Sequence, residues 1–306
     1  MILQPWAGTA RAAQTASAVR SSARGHRAED PGSLENRAGR PLIVHADDFG
    51  ETLEITRGIR LAIEAGVLTS TSIMANMPGT QDALQQVAGL ADRASFGVHL
   101  NLCEGRPLTP ARSLVDPEGR FCSKRALAAR SVTGALVLAD VEREIAAQIG
   151  FVRDHGVSIS HLDGHKHLHQ LPVVCTAVAN VLPRFVIRRV RITRLGGVWR
   201  ARGATLLVRE LLAMKASRKF QRAGLRSPVR IIDLRAFMRG RLPSTPGSCV
   251  DPRGPVELCC HPGTAAADVH KPSSHGRHAE LEFLLSPRFL ELLAANQARL
   301  VSYWDV

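Results

Sequence analysis

Long apolar runs are absent from this 306-residue chain, and none approaches the ~18 residues that a membrane-spanning helix needs. Aromatic residues make up only 4% of the chain, with a single tyrosine, so a folded core must be mainly aliphatic. Neither G-x-G-x-x-G nor G-x-x-x-x-G-K-S/T occurs, which removes two common glycine-loop modes of nucleotide binding. The six cysteines (Cys103, Cys122, Cys175, Cys249, Cys259 and Cys260) form no C-x-x-C pair, and the chain is long for a disulfide scaffold. They read as buried, reduced thiols of a cytoplasmic protein. Internal repeats are missing, which speaks against solenoids and propellers. Acids are outnumbered, 27 against 40 Lys and Arg, giving a net charge of +13.

What is present suits a globular fold. Hydrophobic residues make up 45% and charged residues 22%. The excess charge is local, since 17 Lys/Arg and 2 acids (Glu210, Asp233) lie between Arg184 and Arg241. Such a stripe can meet the phosphates of nucleic acid or of anionic lipid. Residues 1–40 show no sustained apolar period and read as a disordered tail without a secretory h-region.

Patterned sequence begins at Pro41. Strands are expected at 42–46, 69–77, 95–101, 157–163, 256–260 and 299–303, with a β-like stretch at 184–192. Helices are expected at 53–65, 81–91, from an Asp140 N-cap to 153, at 171–182 and at 287–296. Residues 106–125 read as loop. Strands alternating with helices predict an α/β fold with a parallel sheet, either an open doubly wound sheet or a barrel.

Reactive groups of such folds gather at the C-terminal ends of strands. Four predicted strand ends are rich in Asp or His: Asp47-Asp48, Val98-His99-Leu100-Asn101, the run from His161 to His169, and Cys260-His261-Pro262-Gly263. Adjacent carboxylates repel, and a divalent cation relieves this when one ligates it and the other stays ionised beside it. Asp-Asp-x-Gly also suits a solvated turn. His161, Asp163 and His165 share a face if extended, and His167 and His169 continue the spacing. Four imidazoles in nine residues favour a metal, with one or two of them as ligands and the others supporting them. His99 and His261 by themselves are ordinary core or turn histidines, and gain meaning from their positions. Carboxylates and histidines without a nucleophile motif point to metal-assisted hydrolysis. An Asp would take a proton from water, and a histidine opposite would protonate the leaving group, a step an amide demands.

Taken in order, His45-Ala46-Asp47-Asp48-Phe49-Gly50, Gly66-Val67-Leu68-Thr69-Ser70-Thr71-Ser72, Gly97-Val98-His99-Leu100, the His161–His169 run and Cys260-His261-Pro262 resemble the YdjC-like carbohydrate deacetylase family over residues 41–306. Asp-Gly-His-Lys-His, the Glu104-Gly105-Arg106-Pro107 turn and Leu300-Val301-Ser302-Tyr303 resemble its hopanoid-biosynthesis (HpnK-type) branch. The resemblance implies a single-domain, distorted (β/α) barrel that removes N-acetyl groups from amino sugars of the N-acetylglucosamine type. It implies Asp48, His99 and His165 as metal ligands, Asp47 as general base and His261 as acid. His161, Asp163, His167 and His169 would support the ligands or face substrate. The metal is Mg²⁺ by resemblance, while two His and a carboxylate also accommodate Zn²⁺. Residues 227–255 depart from the family pattern, with a Pro/Ser/Gly-rich stretch at 242–254, and so does Ala265-Ala266-Ala267; both bear on the substrate pocket.

Residues 205–225 read as a basic amphipathic helix, with Leu207, Leu211, Met214 and Arg218 on one face and Lys215, Lys219 and Arg222 on another. It would either dock a lipid-linked sugar's membrane at the inner face or form a solvated outer layer of the barrel. A phosphoesterase on the same metal is the rival hydrolase. A non-catalytic nucleic-acid binder explains the basic segment but none of the strand ends, so no nucleic-acid partner is expected.

Overall fold

The computed structural model describes residues 39–193, 204–238, 250–270 and 276–306. The expected tail, apart from its last two residues, and most of the 242–254 stretch lie outside the described residues.

β1 (Arg40–Phe49) is buried from Leu42 to its end, as a central parallel strand covered on both faces must be. α1 (Leu53–Glu64) follows, its first turn capped by Thr52 and its buried face formed by Ile55, Ile59 and Ile63. Then come β2 (Ser70–Ile73), α2 (Thr80–Leu90), β3 (Ser95–Leu100), α3 (Lys124–Thr133), α4 (Leu138–Asp154) and β4 (Ile159–Gly164). α5 (Pro172–Val181), α6 (Ala204–Arg222), β5 (Arg230–Asp233), α7 (Leu234–Met238) and β6 (Val256–Cys260) continue the alternation. α8 (Ala265–His270), α9 (Arg277–Leu285), α10 (Pro287–Ala295) and β7 (Ala298–Leu300) complete it.

All strand pairs are parallel, in the order β4-β3-β2-β1-β6-β5, with β7 beside the start of β1. The sheet closes on itself. Residues 188–191 lie between β4 and the approach to β5, through the bridges Leu162↔Val190 and Arg189↔Arg226. The join is made by Leu162 N–H to Arg189 O (3.1 Å), Arg191 N–H to Leu162 O (3.0 Å) and Val190 N–H to Arg226 O (2.9 Å). The result is the α/β barrel of the sequence reading. Beyond β7 the chain turns under the ring. Tyr303 is fully buried, stacks on His161 at 3.6 Å between ring centroids and donates its hydroxyl to Glu257 (2.5 Å). Gly97 in β3 leaves room for this stack, since a Cβ there would lie 2.4 Å from the His161 ring.

Several local expectations are corrected. Asp140 lies inside the first turn of α4 rather than at its cap, and accepts from Ser113 N–H (2.9 Å) instead. Residues 184–192 make single bridges, not a strand, and begin in a 3-10 turn. On α6 the inward residues are Ala213, Ala216 and Phe220, whereas Leu211 and Met214 face outward beside Lys215 and Arg218. Small alanines let this helix sit close, which leaves the larger apolar residues outside. Among the described residues no helix is long and apolar enough to cross a membrane.

Candidate metal centre and active site

The strand ends converge. Register shifts between Ala46 and Phe49, and Asp48 adopts φ 71°, a left-handed conformation that Asp tolerates better than most side chains. This irregularity gives the two adjacent carboxylates different sets of partners. Asp48 Oδ1 lies 2.9 Å from His165 Nδ1 and 3.1 Å from His99 Nε2. Its Oδ2 accepts from Arg277 (2.6 Å). Ligand atoms of Asp48, His99 and His165 all fall within 4.8 Å of one another.

The residues fit a cation. His99 Nδ1 sits 2.8 Å from Asp163 Oδ1, and Ser72 Oγ donates to Asp163 Oδ2 (2.9 Å). A proton on Nδ1 leaves the Nε2 lone pair facing Asp48, and this buried Nε2, though 3.1 Å from Asp48 Oδ1, is not aligned with it as a hydrogen bond. A carboxylate behind an imidazole whose other nitrogen keeps its lone pair is the arrangement of a metal-ligating histidine. His165 also has a supporting carboxylate, with Nε2 3.1 Å from Glu104 Oε1, while its Nδ1 is hydrogen-bonded to Asp48 Oδ1 at 2.9 Å. Burial opposes charging His99, but Asp163 and Asp48 outweigh it and raise its pKa well above the ordinary value. Burial would raise the Asp48 pKa, but Arg277 and His165 hold it well below the usual carboxylate range. The pocket thus strongly favours positive charge at its centre.

Asp47 faces another cluster. Both its oxygens accept from Arg191, at 2.7 and 2.9 Å. Arg191 is fully buried and also pairs with Asp163 (2.9 Å) and Glu257. Burial would raise the Asp47 pKa, but Arg191 and His45 lower it well below its ordinary value, so Asp47 is a carboxylate at neutral pH. His261 Nε2 lies 3.7 Å from Asp47 Oδ2. Glu280 fixes the turn by accepting the His261 backbone N–H (2.6 Å). A cavity of about 230 Å³ opens here, lined by Asp47, Asp48, His165, Lys166, His167, Asp233, Arg235, His261 and Arg277.

The histidine run does not stay extended. It turns into a 3-10 segment at His165, with positive φ at Lys166 and His167. Asp163 supports His99, and His167 lines the cavity. His169 lies behind, its Nε2 3.0 Å from the Arg191 carbonyl oxygen. His161 is not brought to the cavity; it lies under the ring against Tyr303, with Nε2 3.0 Å from His45 Nε2. The sequence reading misses Arg191, Arg277 and Glu257. The first two look like surface charge, and nothing in a sequence marks an arginine as buried.

The fold and its strand ends define a class: parallel α/β-barrel proteins with an Asp–His–His set of candidate cation ligands beside a second carboxylate. Residues 41–295 match the family model described as YdjC-like protein, and the chain belongs to that family. It is similar to a protein named carbohydrate deacetylase from Mus musculus, 41% identical over 164 residues, covering 51% of this chain and 52% of the relative. A carbohydrate deacetylase from Geobacillus stearothermophilus is 36% identical over 157 residues, covering 51% and 62%. The chain therefore spans about half the length of the first of these relatives and less than two thirds of the second. A further one, from Clostridium beijerinckii, is 26% identical over 271 residues and is covered to 99%, against 87% of this chain. In fold the chain resembles a crystal structure from Enterococcus faecalis V583, provisionally described as a cellobiose-phosphate cleavage protein. That match has a TM-score of 0.68 at 22% identity, covering 87% of this chain and 98% of the other.

Proposed function

We propose that this protein is a metal-dependent carbohydrate deacetylase acting on N-acetylglucosamine-type sugars. The observation that carries the reading is the convergence of Asp48 Oδ1, His99 Nε2 and His165 Nδ1 at one buried point. Asp48, His99 and His165 would hold the cation. When bound, it supplies Lewis-acid polarisation of the acetyl carbonyl and acidifies water. Asp47, kept ionised and oriented by Arg191, accepts the water proton. His261 stands across Asp47 and donates a proton to the departing amine, which an amide anion requires. The polar lining of the cavity suits a hydroxylated ligand.

Resemblance to the hopanoid-associated branch supports a sugar carried on a hopanoid lipid at the inner membrane face. The outward stripe of α6 supports contact with anionic lipid, since Val208 and Leu211 are 53% and 48% exposed and lead into exposed Lys215, Arg218 and Arg222. Phosphoester hydrolysis is the second reading, favoured by Lys166, Arg235 and Arg277 around the cavity. Each of these cations already has an acid, respectively Glu104, Glu280 and Asp48, which leaves the deacetylase reading ahead.

Mass spectrometry of N-acetylglucosamine glycolipids incubated with the protein should reveal loss of acetyl, abolished by chelation and restored by added Mg²⁺. Asp47→Asn should still bind metal by calorimetry while turnover falls ~100-fold or more. Turnover unaffected by chelation would overturn the reading, and activity surviving His261→Ala would favour the phosphoesterase.

A further inference from the structure

β6 brings to the barrel interior a side chain that the reaction above does not use. Cys259 is 3% exposed, and its Sγ lies 3.5 Å from Asp47 Oδ1. Two residues on, His261 Nε2 lies 3.7 Å from the other Asp47 oxygen. The three ligand atoms of Asp47, Cys259 and His261 fall within 4.8 Å of one another. A tetrahedral centre with bonds of ~2.3 Å to sulfur and ~2.0–2.2 Å to nitrogen and oxygen holds its ligand atoms about 3.3–3.6 Å apart. The two sides that meet at the Asp47 carboxylate are therefore close to the length such a centre needs, and the third is within 4.8 Å. Its chemistry differs from that of Asp48, His99 and His165, which offer only oxygen and nitrogen.

We propose that Asp47, Cys259 and His261 form a second cation site, selective for thiophilic ions such as Zn²⁺ or Cd²⁺, and that its occupancy arrests turnover by engaging the base and the acid together. The effect on turnover rests on the deacetylase reading; the binding does not. Sulfur is the selecting ligand, since Mg²⁺ and Ca²⁺ take oxygen and leave thiolates to softer ions. Ligation releases the Cys259 thiol proton to solvent. Arg191 and His45 both approach Asp47 Oδ1, so the ligand oxygen is Oδ2, which faces His261 and keeps a second lone pair beside its bond from Arg191. The single charge of Arg191 is also shared among Asp47, Asp163 and Glu257, so the cluster remains net acidic. The route in is the cavity itself, lined by Asp47 and His261. Asp233, the neighbour of Cys259 across the β5–β6 pair, adds a carboxylate to the same wall.

Co²⁺ titration of the full chain tests the site directly. Near-ultraviolet thiolate-to-cobalt charge transfer should appear in the wild type, in Cys260→Ser and in His99→Gln. It should vanish in both Cys259→Ser and Cys259→Ala, with circular dichroism checking that each variant is folded. A missing band in the wild type, or one that survives both Cys259 variants, overturns the site. In the turnover arm, Zn²⁺ or Cd²⁺ should inhibit, with at least a tenfold higher half-inhibitory concentration in Cys259→Ser. Equal inhibition of the two proteins overturns the arrest. A cobalt band that depends on Cys259, in a protein that deacetylates nothing, would sustain the site and sink the deacetylase reading instead.

Discussion

Arg191 carries its charge into the barrel with no exposure to water, and three carboxylates answer it. Such a group is costly to strand, so its partners and the site's protonation states are set together. Asp163 shows the coupling, because it touches both Arg191 and His99. Asp163→Asn removes the carboxylate behind His99, and calorimetry should find metal affinity lowered ~10–100-fold. His169 reports on pH. Burial depresses its pKa from the ordinary 6.5 to about 4. Between these values the unfolded chain takes up a proton that the native protein refuses. His169 therefore stabilises fully above about 6.5, and its contribution falls as pH drops toward about 4. The loss from this residue is ~3 kcal/mol, and urea midpoints should decline less steeply across that window in His169→Gln.

At the scale of elements, α1 and the His261 turn meet through two glycines. A Cβ on Gly58 would lie 2.5 Å from Gly263 Cα, so even a methyl group forces backbone apart. Gly58→Ala should cost ~1–3 kcal/mol in chemical denaturation and lower kcat by displacing His261. That contact shows where sequence reading stops. β1, β2, β3, β4 and β6 were legible as short β-rich runs closed by turn residues, and their Asp- or His-rich ends marked the site. β5 was not, because four residues within a basic segment carry too little pattern. α3 was missed because its Lys-Arg-rich sequence has almost no apolar periodicity and buries only Leu127 and Ser131. Strand-end logic marks the region, and the resemblance implies Asp48, His99 and His165 as the ligands within it. Arg277, which reaches Asp48 from α9, lies 229 residues away along the chain and gives no local sign of that contact.

For the whole molecule, the basic segment divides into two populations. Arg191 faces inward and serves the site, while Lys215, Arg218 and Arg222 face out on α6. Only the outward group can meet a bilayer. Reversing those three to Glu should remove at least ~3 kcal/mol of attraction to anionic vesicles, about a hundredfold in partitioning, and leave zwitterionic vesicles unchanged in co-sedimentation. The net charge of +13 understates what the surface offers, because among the described residues eight acids but only two arginines are buried. Closure of the ring has a consequence of its own. Six strands are stitched to their neighbours by five ladders of several residues each, but the join at residues 188–191 rests on single bridges. A hoop fastened at one narrow clasp breathes there before it breathes anywhere else. Arg191 sits on that clasp, so a local opening there would loosen the guanidinium that holds Asp47.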